Sequence, residues 1–188
     1  MRPVKVVLVT VLAGTISIGA AIFGQRWIGE SPLIENLTDR NTDRLETLPD
    51  FRLLDLDGRE VTSNAWAGKT LILHFWATWC PSCISEMPML IRAQEALRES
   101  GVQFVGIAVD SVEDVKDFVV DHPINYPVLI ADSEVIALSK RLGNRLEVLP
   151  FTVIFDARGR RVYSQIGDLQ AEALRAEVDR ATSGKTRL

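Results

Sequence analysis

The chain has 188 residues, of which 47% are hydrophobic and 24% charged, with two cysteines and a formal net charge of −4. At roughly 150 residues per domain, this length allows one full domain plus an appendage. The acidic balance excludes a nucleic-acid binder that works through a basic face, and two cysteines exclude a disulfide-dense scaffold or a four-thiolate zinc site.

Residues 1–5 carry Arg2 and Lys5 and read as a cytoplasmic stub; Val6 to Phe23 follow as 18 residues without a charge. As a helix, that run rises about 27 Å, close to the ~30 Å hydrocarbon core of a bilayer. We read 6–23 as an N-terminal transmembrane helix that is retained as a single-pass anchor. A cleaved signal peptide would have a shorter apolar region ending in a small-x-small site. Here the small residues Gly19, Ala20 and Ala21 lie inside the apolar run. A buried core helix would show a polar face. The basic flank precedes the segment, so the amino terminus is expected in the cytoplasm and the rest outside. Residues 29–188 hold 18 basic and all 25 acidic side chains, which argues against docking on an anionic membrane surface. Residues 24–46 are polar and aperiodic and read as a flexible tether.

Residues 47–183 are expected to form the folded domain, with a short tail over 184–188. Phe51 to Leu56 alternates and ends at the turn signal Asp57-Gly58, before Glu60-Val61-Thr62, which suggests an entry hairpin. Thr70 to Ala77 is a near-continuous apolar run, as in a strand covered on both faces. Pro81 to Glu99 has helical periodicity through Ile84, Met87, Leu90, Ile91 and Leu97, and stops at Ser100-Gly101. Val102 to Val109 reads as a second buried strand. Asp110-Ser111 caps a helix over Val112 to Asp121, Pro127 to Ala131 is a short strand, and Asp132-Ser133 opens a helix to about Leu142. Phe151 to Phe155 and Arg161 to Ile166 form a hairpin around an Asp156 to Gly159 turn, and a closing helix runs from Gln170 to Thr182. Alternating strands and helices predict an α/β domain with a central mixed sheet flanked by helices.

The two cysteines, Cys80 and Cys83, sit where a buried strand hands over to a helix. Unpaired N–H groups and the positive end of the helix dipole favour a thiolate there. The pKa of such a thiol falls to between about 3.5 and 7.5, against about 8.5 for a free one. Cys83 lies one helical turn on, in position to attack a mixed disulfide formed at Cys80. This makes Cys80 the nucleophile and Cys83 the resolving thiol. Pro81 suits the first helical position. A metal would want two further ligands, and the sequence offers only His74 and His122.

The stretch Phe-Trp-Ala-Thr-Trp-Cys-Pro-Ser-Cys-Ile-Ser-Glu-Met-Pro (75–88) resembles the active-site block of thioredoxin-like proteins. More narrowly, it resembles the TlpA/ResA/CcmG-type group of membrane-anchored thiol–disulfide oxidoreductases. The resemblance covers residues 47–183 and, in kind, the anchor. It implies a thioredoxin-like fold with a helix-strand insertion, supplied by Val112 to Ala131, ahead of a cis-proline at Pro150. It also implies a periplasmic domain on the inner membrane, no cofactor beyond a redox-active Cys80–Cys83 disulfide, and no metal. Glu86 matches the acid of Cys-x-x-Cys-x-x-Glu, and a partly buried carboxylate there is placed to exchange protons with the thiols. Pro88 matches a helix-bending proline. Trp79 is expected to cover the active site, with Trp76 packed beneath it. Trp79, Pro81, Ser82 and Leu149 are the expected substrate contacts, Leu149 through its backbone beside the cis peptide.

His74 departs from the family pattern. It stands where many thioredoxins carry a buried acid, and reads either as a proton-transfer group or as a neutral, hydrogen-bonded core residue.

The resemblance implies protein thiol or disulfide substrates. For a reductase these would be the haem-binding cysteines of apocytochrome c or the copper-site cysteines of cytochrome oxidase, with electrons from a membrane donor of the CcdA or DsbD type. A disulfide-forming oxidant is the main alternative, because Pro-Ser between the cysteines does not fix the direction of electron flow. A peroxiredoxin would need proline at Leu73 and threonine at Ala77, and has neither. A non-enzymatic copper-binding factor would use the same two thiols as Cu(I) ligands.

Overall fold

The computed structural model describes residues 45–183. The expected stub 1–5, anchor 6–23 and tail 184–188, and the tether up to residue 44, lie outside the described residues. Among those described, no helix is long and apolar enough to cross a membrane.

In chain order the elements are β1 (Arg52–Asp55), β2 (Glu60–Thr62), a 3-10 turn (Ser63–Trp66), β3 (Thr70–Trp76) and α1 (Pro81–Leu97). A second 3-10 turn (Arg98–Ser100) leads to β4 (Val102–Ala108), α2 (Val112–Asp121), β5 (Val128–Ile130) and α3 (Ser133–Leu142). The hairpin β6 (Phe151–Phe155) and β7 (Arg161–Ile166) and the closing helix α4 (Ala171–Thr182) complete the domain.

All seven strands join one sheet in the order β2-β1-β5-β4-β3-β6-β7. β3, β4 and β5 run parallel, while β6, β7, β1 and β2 add antiparallel pairs at the two sides. The sheet is therefore mixed, as the element pattern predicts. β3 is buried at every position, because an unbroken apolar run finds cover only with helices on both faces. Its odd-numbered residues Leu71, Leu73 and Phe75 pack with Val105, Ile107 and Phe151 on one face. Its even-numbered residues face α1: Ile72 shares a cluster with Leu90, and Trp76 shares one with Cys83 and Met87.

The insertion expected between residues 112 and 131 is α2 plus β5. β5 pairs with β4 on one side and with β1 on the other, so the entry hairpin docks on the inserted strand. That neighbour could not be read from the hairpin's own alternation.

Helix ends follow local chemistry. Ser111 Oγ accepts the N–H of Asp114 at 3.1 Å, and Asp132 Oδ1 accepts that of Val135 at 2.8 Å; each satisfies an orphan donor. Gly101 takes the left-handed conformation (φ 73°) after the 3-10 turn.

The buried stripe of α1 is Cys83, Glu86, Met87, Leu90 and Gln94, whereas apolar periodicity put Ile84, Ile91 and Leu97 on it. Those three are only half-buried. Two polar residues on the stripe explain the difference. Gln94 is buried because its Oε1 accepts the Phe104 N–H at 2.7 Å.

Packing begins at Leu45 rather than at residue 47. Leu45 and Leu48 pack against the main core, the Leu45 N–H donates to the Arg141 carbonyl, and Thr47 bridges to Arg160.

Candidate functional site

β3 ends at Trp76, and Ala77–Trp79 turns the chain into α1. Asp110, two residues past β4, holds that turn. Its Oδ2 accepts the Thr78 N–H at 3.1 Å and the Thr78 hydroxyl at 2.5 Å. In the sequence Asp110 reads as part of a helix cap; its hold on Thr78 depends on the parallel pairing of β3 and β4 and leaves no local signal.

Cys80 is the N-cap of α1 and Pro81 opens the helix. Cys80 and Cys83 form a disulfide, and Cys80 Sγ accepts the Cys83 N–H at 3.2 Å. A first-turn backbone donor is thus aimed at the outer sulfur, and after reduction it would stabilise a thiolate there. The pair is asymmetric in access: Cys80 is 4% exposed and Cys83 0%. Ser82 Oγ lies 3.6 Å from Cys80 Sγ, and Pro81 is exposed. α1 continues through Pro88 without interruption.

The Leu149–Pro150 peptide is cis, and β6 starts at the next residue. The register that pairs Phe75 with Phe151 carries Pro150 to the Trp76 end of β3. Leu149 packs against the cluster that contains both cysteines. Upstream, Asn144 clamps the loop: its Nδ2 donates to the Val148 carbonyl at 3.0 Å and its Oδ1 accepts the Val148 N–H at 3.1 Å. Glu147 holds a left-handed conformation (φ 52°) and pairs with Lys140 at 3.0 Å.

A cleft of about 350 Å³ lies between this loop and the redox turn. Phe75, Trp79, Val109, Ile136, Val148 and Leu149 supply its apolar lining, with Ser139, Asn144 and Glu147 the other lining residues. Trp79 and Leu149 therefore meet at one cleft, whereas Pro81 and Ser82 stand outside its lining. Trp79 is 66% exposed and so stands out from the surface beside the disulfide. Trp76 is fully buried against Phe118, at 5.3 Å between ring centroids.

Glu86 is buried on the inner face of α1, one turn beyond Cys83. Its Oε1 accepts the Leu169 N–H at 2.7 Å, while Oε2 has no protein partner. Burial pushes its pKa up from 4.5 to about 7; the Leu169 bond opposes the rise and the charge of Asp168 adds to it. The carboxyl therefore changes its protonation near neutral pH.

His74 lies on the same side of the sheet, fully buried, with Nδ1 3.0 Å from Thr152 Oγ1 and Nε2 unpartnered. Burial pushes its pKa down to about 4, so the imidazole is neutral at neutral pH and sits as a hydrogen-bonded core residue. His122 is exposed and stacks on Phe118 at 4.2 Å. Among the described residues, no group of three or more His, Cys, Asp or Glu gathers to hold a metal.

A family model for redoxins matches residues 45–182, which is nearly the whole described domain. The chain belongs to the redoxin family. The thiol–disulfide oxidoreductase ResA of Bacillus cereus is 30% identical over 135 residues, covering 71% of this chain and 76% of that protein. ResA of Geobacillus thermodenitrificans is 28% identical over 134 residues, covering 71% and 75%. A thioredoxin-family thiol:disulfide interchange protein from Chlorobium tepidum superposes with a TM-score of 0.64 at 30% identity, covering 74% of this chain and 97% of that one. StoA from Bacillus subtilis shares the fold at a TM-score of 0.57 and 22% identity, covering 71% and 99%. This redoxin domain is a thiol–disulfide oxidoreductase of the ResA type.

Proposed function

We propose that this redoxin is a membrane-anchored, periplasmic disulfide reductase. Its substrates are the cysteine pairs of apocytochrome c or of the copper site of cytochrome oxidase. The observation that carries the mechanism is the Cys80–Cys83 arrangement: an outer sulfur aimed at by a helix N–H, and a resolving sulfur fully buried one turn on. In the reduced protein the Cys80 thiolate attacks a substrate disulfide, forming a mixed disulfide and releasing one substrate thiolate. Cys83, after losing its proton, attacks Cys80 Sγ and releases the second. The substrate gains two electrons and the protein returns to the disulfide form described here.

Glu86 is the group that exchanges protons with the thiols during these steps, because its pKa lies near 7 and it shares a helix face with Cys83. Pro150 and the Leu149 backbone align the substrate strand, Trp79 supplies apolar contact area, and Pro81 and Ser82 flank the attacking sulfur. His74 holds Thr152 and the neighbouring strand beneath the site. A membrane carrier of the CcdA or DsbD type restores the dithiol. The uncharged run Val6 to Phe23 supports the anchor, which would raise the local concentration of both donor and substrate.

A Cys83→Ser variant expressed in its own cells should accumulate mixed disulfides with c-type apocytochromes or the copper-binding oxidase subunit. Capture of unrelated secreted proteins instead would overturn the substrate class. A reduction potential near about −120 mV, where strong oxidants lie, would reverse the direction to disulfide formation.

A further inference from the structure

Besides His74 Nε2, three buried polar atoms on the α1 side of the sheet have no protein partner: Trp76 Nε1, Tyr126 Oη and Glu86 Oε2. Such atoms are uncommon in folded proteins, and each calls for an explanation. They are of complementary kinds. The indole N–H can only donate, the phenol can donate or accept, and an ionised carboxylate oxygen only accepts.

Trp76 and Tyr126 converge on Gly106, and Leu169, whose N–H binds the Glu86 carboxyl, packs in the same core cluster as Tyr126. Trp76 ends β3, Tyr126 lies on the connection between α2 and β5, and Glu86 is on α1. Gly106 of β4 makes the convergence possible: a Cβ there would lie 2.9 Å from Trp76 Nε1 and 3.4 Å from the Tyr126 ring. Phe104 supports the Tyr126 ring from the same strand, at 6.2 Å between centroids. The Tyr126 hydroxyl also lies within the electrostatic reach of Glu86. A buried water needs two to four polar partners, and these three supply that number.

We propose that Tyr126 is a positioning residue that, together with the Trp76 indole N–H, holds a buried water against Glu86 Oε2 and so governs proton exchange at that carboxyl. The inference rests on the reading of Glu86 as the group that exchanges protons with the thiols. The water would give Glu86 an exit path for its proton on the side away from Leu169. Tyr126 and Trp76 act through it without touching substrate. Besides Tyr126, the titratable group that acts on the Glu86 carboxyl is Asp168 on the β7–α4 connection. Asp168 raises the carboxyl's pKa, and the water held by Tyr126, as a donor to the carboxylate, works against it.

The test is infrared titration of the buried carboxyl in the oxidised protein, with Glu86→Gln identifying its band. In Tyr126→Phe, which keeps the ring and removes the hydroxyl, the midpoint should move up by about one pH unit. An unchanged midpoint overturns the proposal. The pH profile of disulfide exchange separates the two readings. If Glu86→Gln leaves that profile unchanged, the role of Glu86 falls. If Glu86→Gln flattens it but Tyr126→Phe does not shift it, only the role of Tyr126 falls. Should Tyr126→Phe not fold, magnetisation transfer from a long-lived water to the Trp76 indole proton in the wild type decides the matter, its presence in support and its absence against.

Discussion

Glu86 and His74 are both buried on the α1 side of the sheet, and burial acts on them with opposite sign. The folded protein holds a proton on Glu86 up to about pH 7, whereas the unfolded chain releases it near 4.5. Stability from this group therefore falls as pH rises from about 4.5 to 7. On His74 the folded protein refuses a proton that the unfolded chain accepts below 6.5, until pH nears 4. Stability from that group falls as pH drops from 6.5 towards 4. Between about 4.5 and 6.5 the two slopes oppose, so denaturant melts of the wild type should show little net pH dependence from the pair. Glu86→Gln should unmask the histidine slope and gain on the order of 2 kcal/mol at pH 8 relative to the wild type. His74→Gln should unmask the carboxyl slope, with stability declining from pH 5 to 7. If both variants track the wild type across this range, the two groups titrate as they do in the unfolded chain.

At the level of the elements, the redox turn hangs on a contact between two strand ends. β3 and β4 are parallel and in register from Thr70↔Val102 to Trp76↔Ala108, so Asp110 lies beside Thr78 and takes two hydrogen bonds from it. Asp110→Ala leaves the helix cap of Ser111 in place but frees the turn that presents Cys80. Amide exchange at Thr78 should quicken by about ten- to a hundredfold, with a loss of about 1–2 kcal/mol in global stability. Unchanged protection at Thr78 would mean that the backbone alone fixes the turn. The Asn144 clamp does the corresponding work on the other side of the cleft, holding the loop that ends at Leu149.

For the whole domain, the decisive long-range feature is the strap at residues 45–48. It crosses from α3 to the β6–β7 hairpin through Leu45 N–H to Arg141 O, Arg161 Nε to Leu45 O, and Leu48 N–H to Gly159 O. Leu45 and Leu48 are half-buried against the main core. A fragment spanning 49–183 should melt about 5–10 °C below one spanning 45–183, since removing two part-buried leucines and these bonds costs about 1–3 kcal/mol. Equal melting temperatures would place the strap outside the cooperative unit.

By itself the sequence determined whatever depends on neighbours along the chain. The continuous apolar run specified β3, Ser111 and Asp132 specified helix starts, Gly101 specified a stop, and Cys-Pro-Ser-Cys at a strand-to-helix junction specified the redox chemistry. These follow from backbone sterics, orphan helix donors and thiolate electrostatics, all of which act over a few residues. Only the tertiary structure decided that β5 lies between β1 and β4, that Asp110 grips Thr78, that Gln94 is buried, and that Trp76 and Tyr126 meet over Gly106. Hydrophobic periodicity cannot find a polar residue on a buried stripe, because its reason for being there is a partner dozens of residues away. The desolvation that moves Glu86 and His74 in opposite directions likewise exists only once α1 has closed over the sheet.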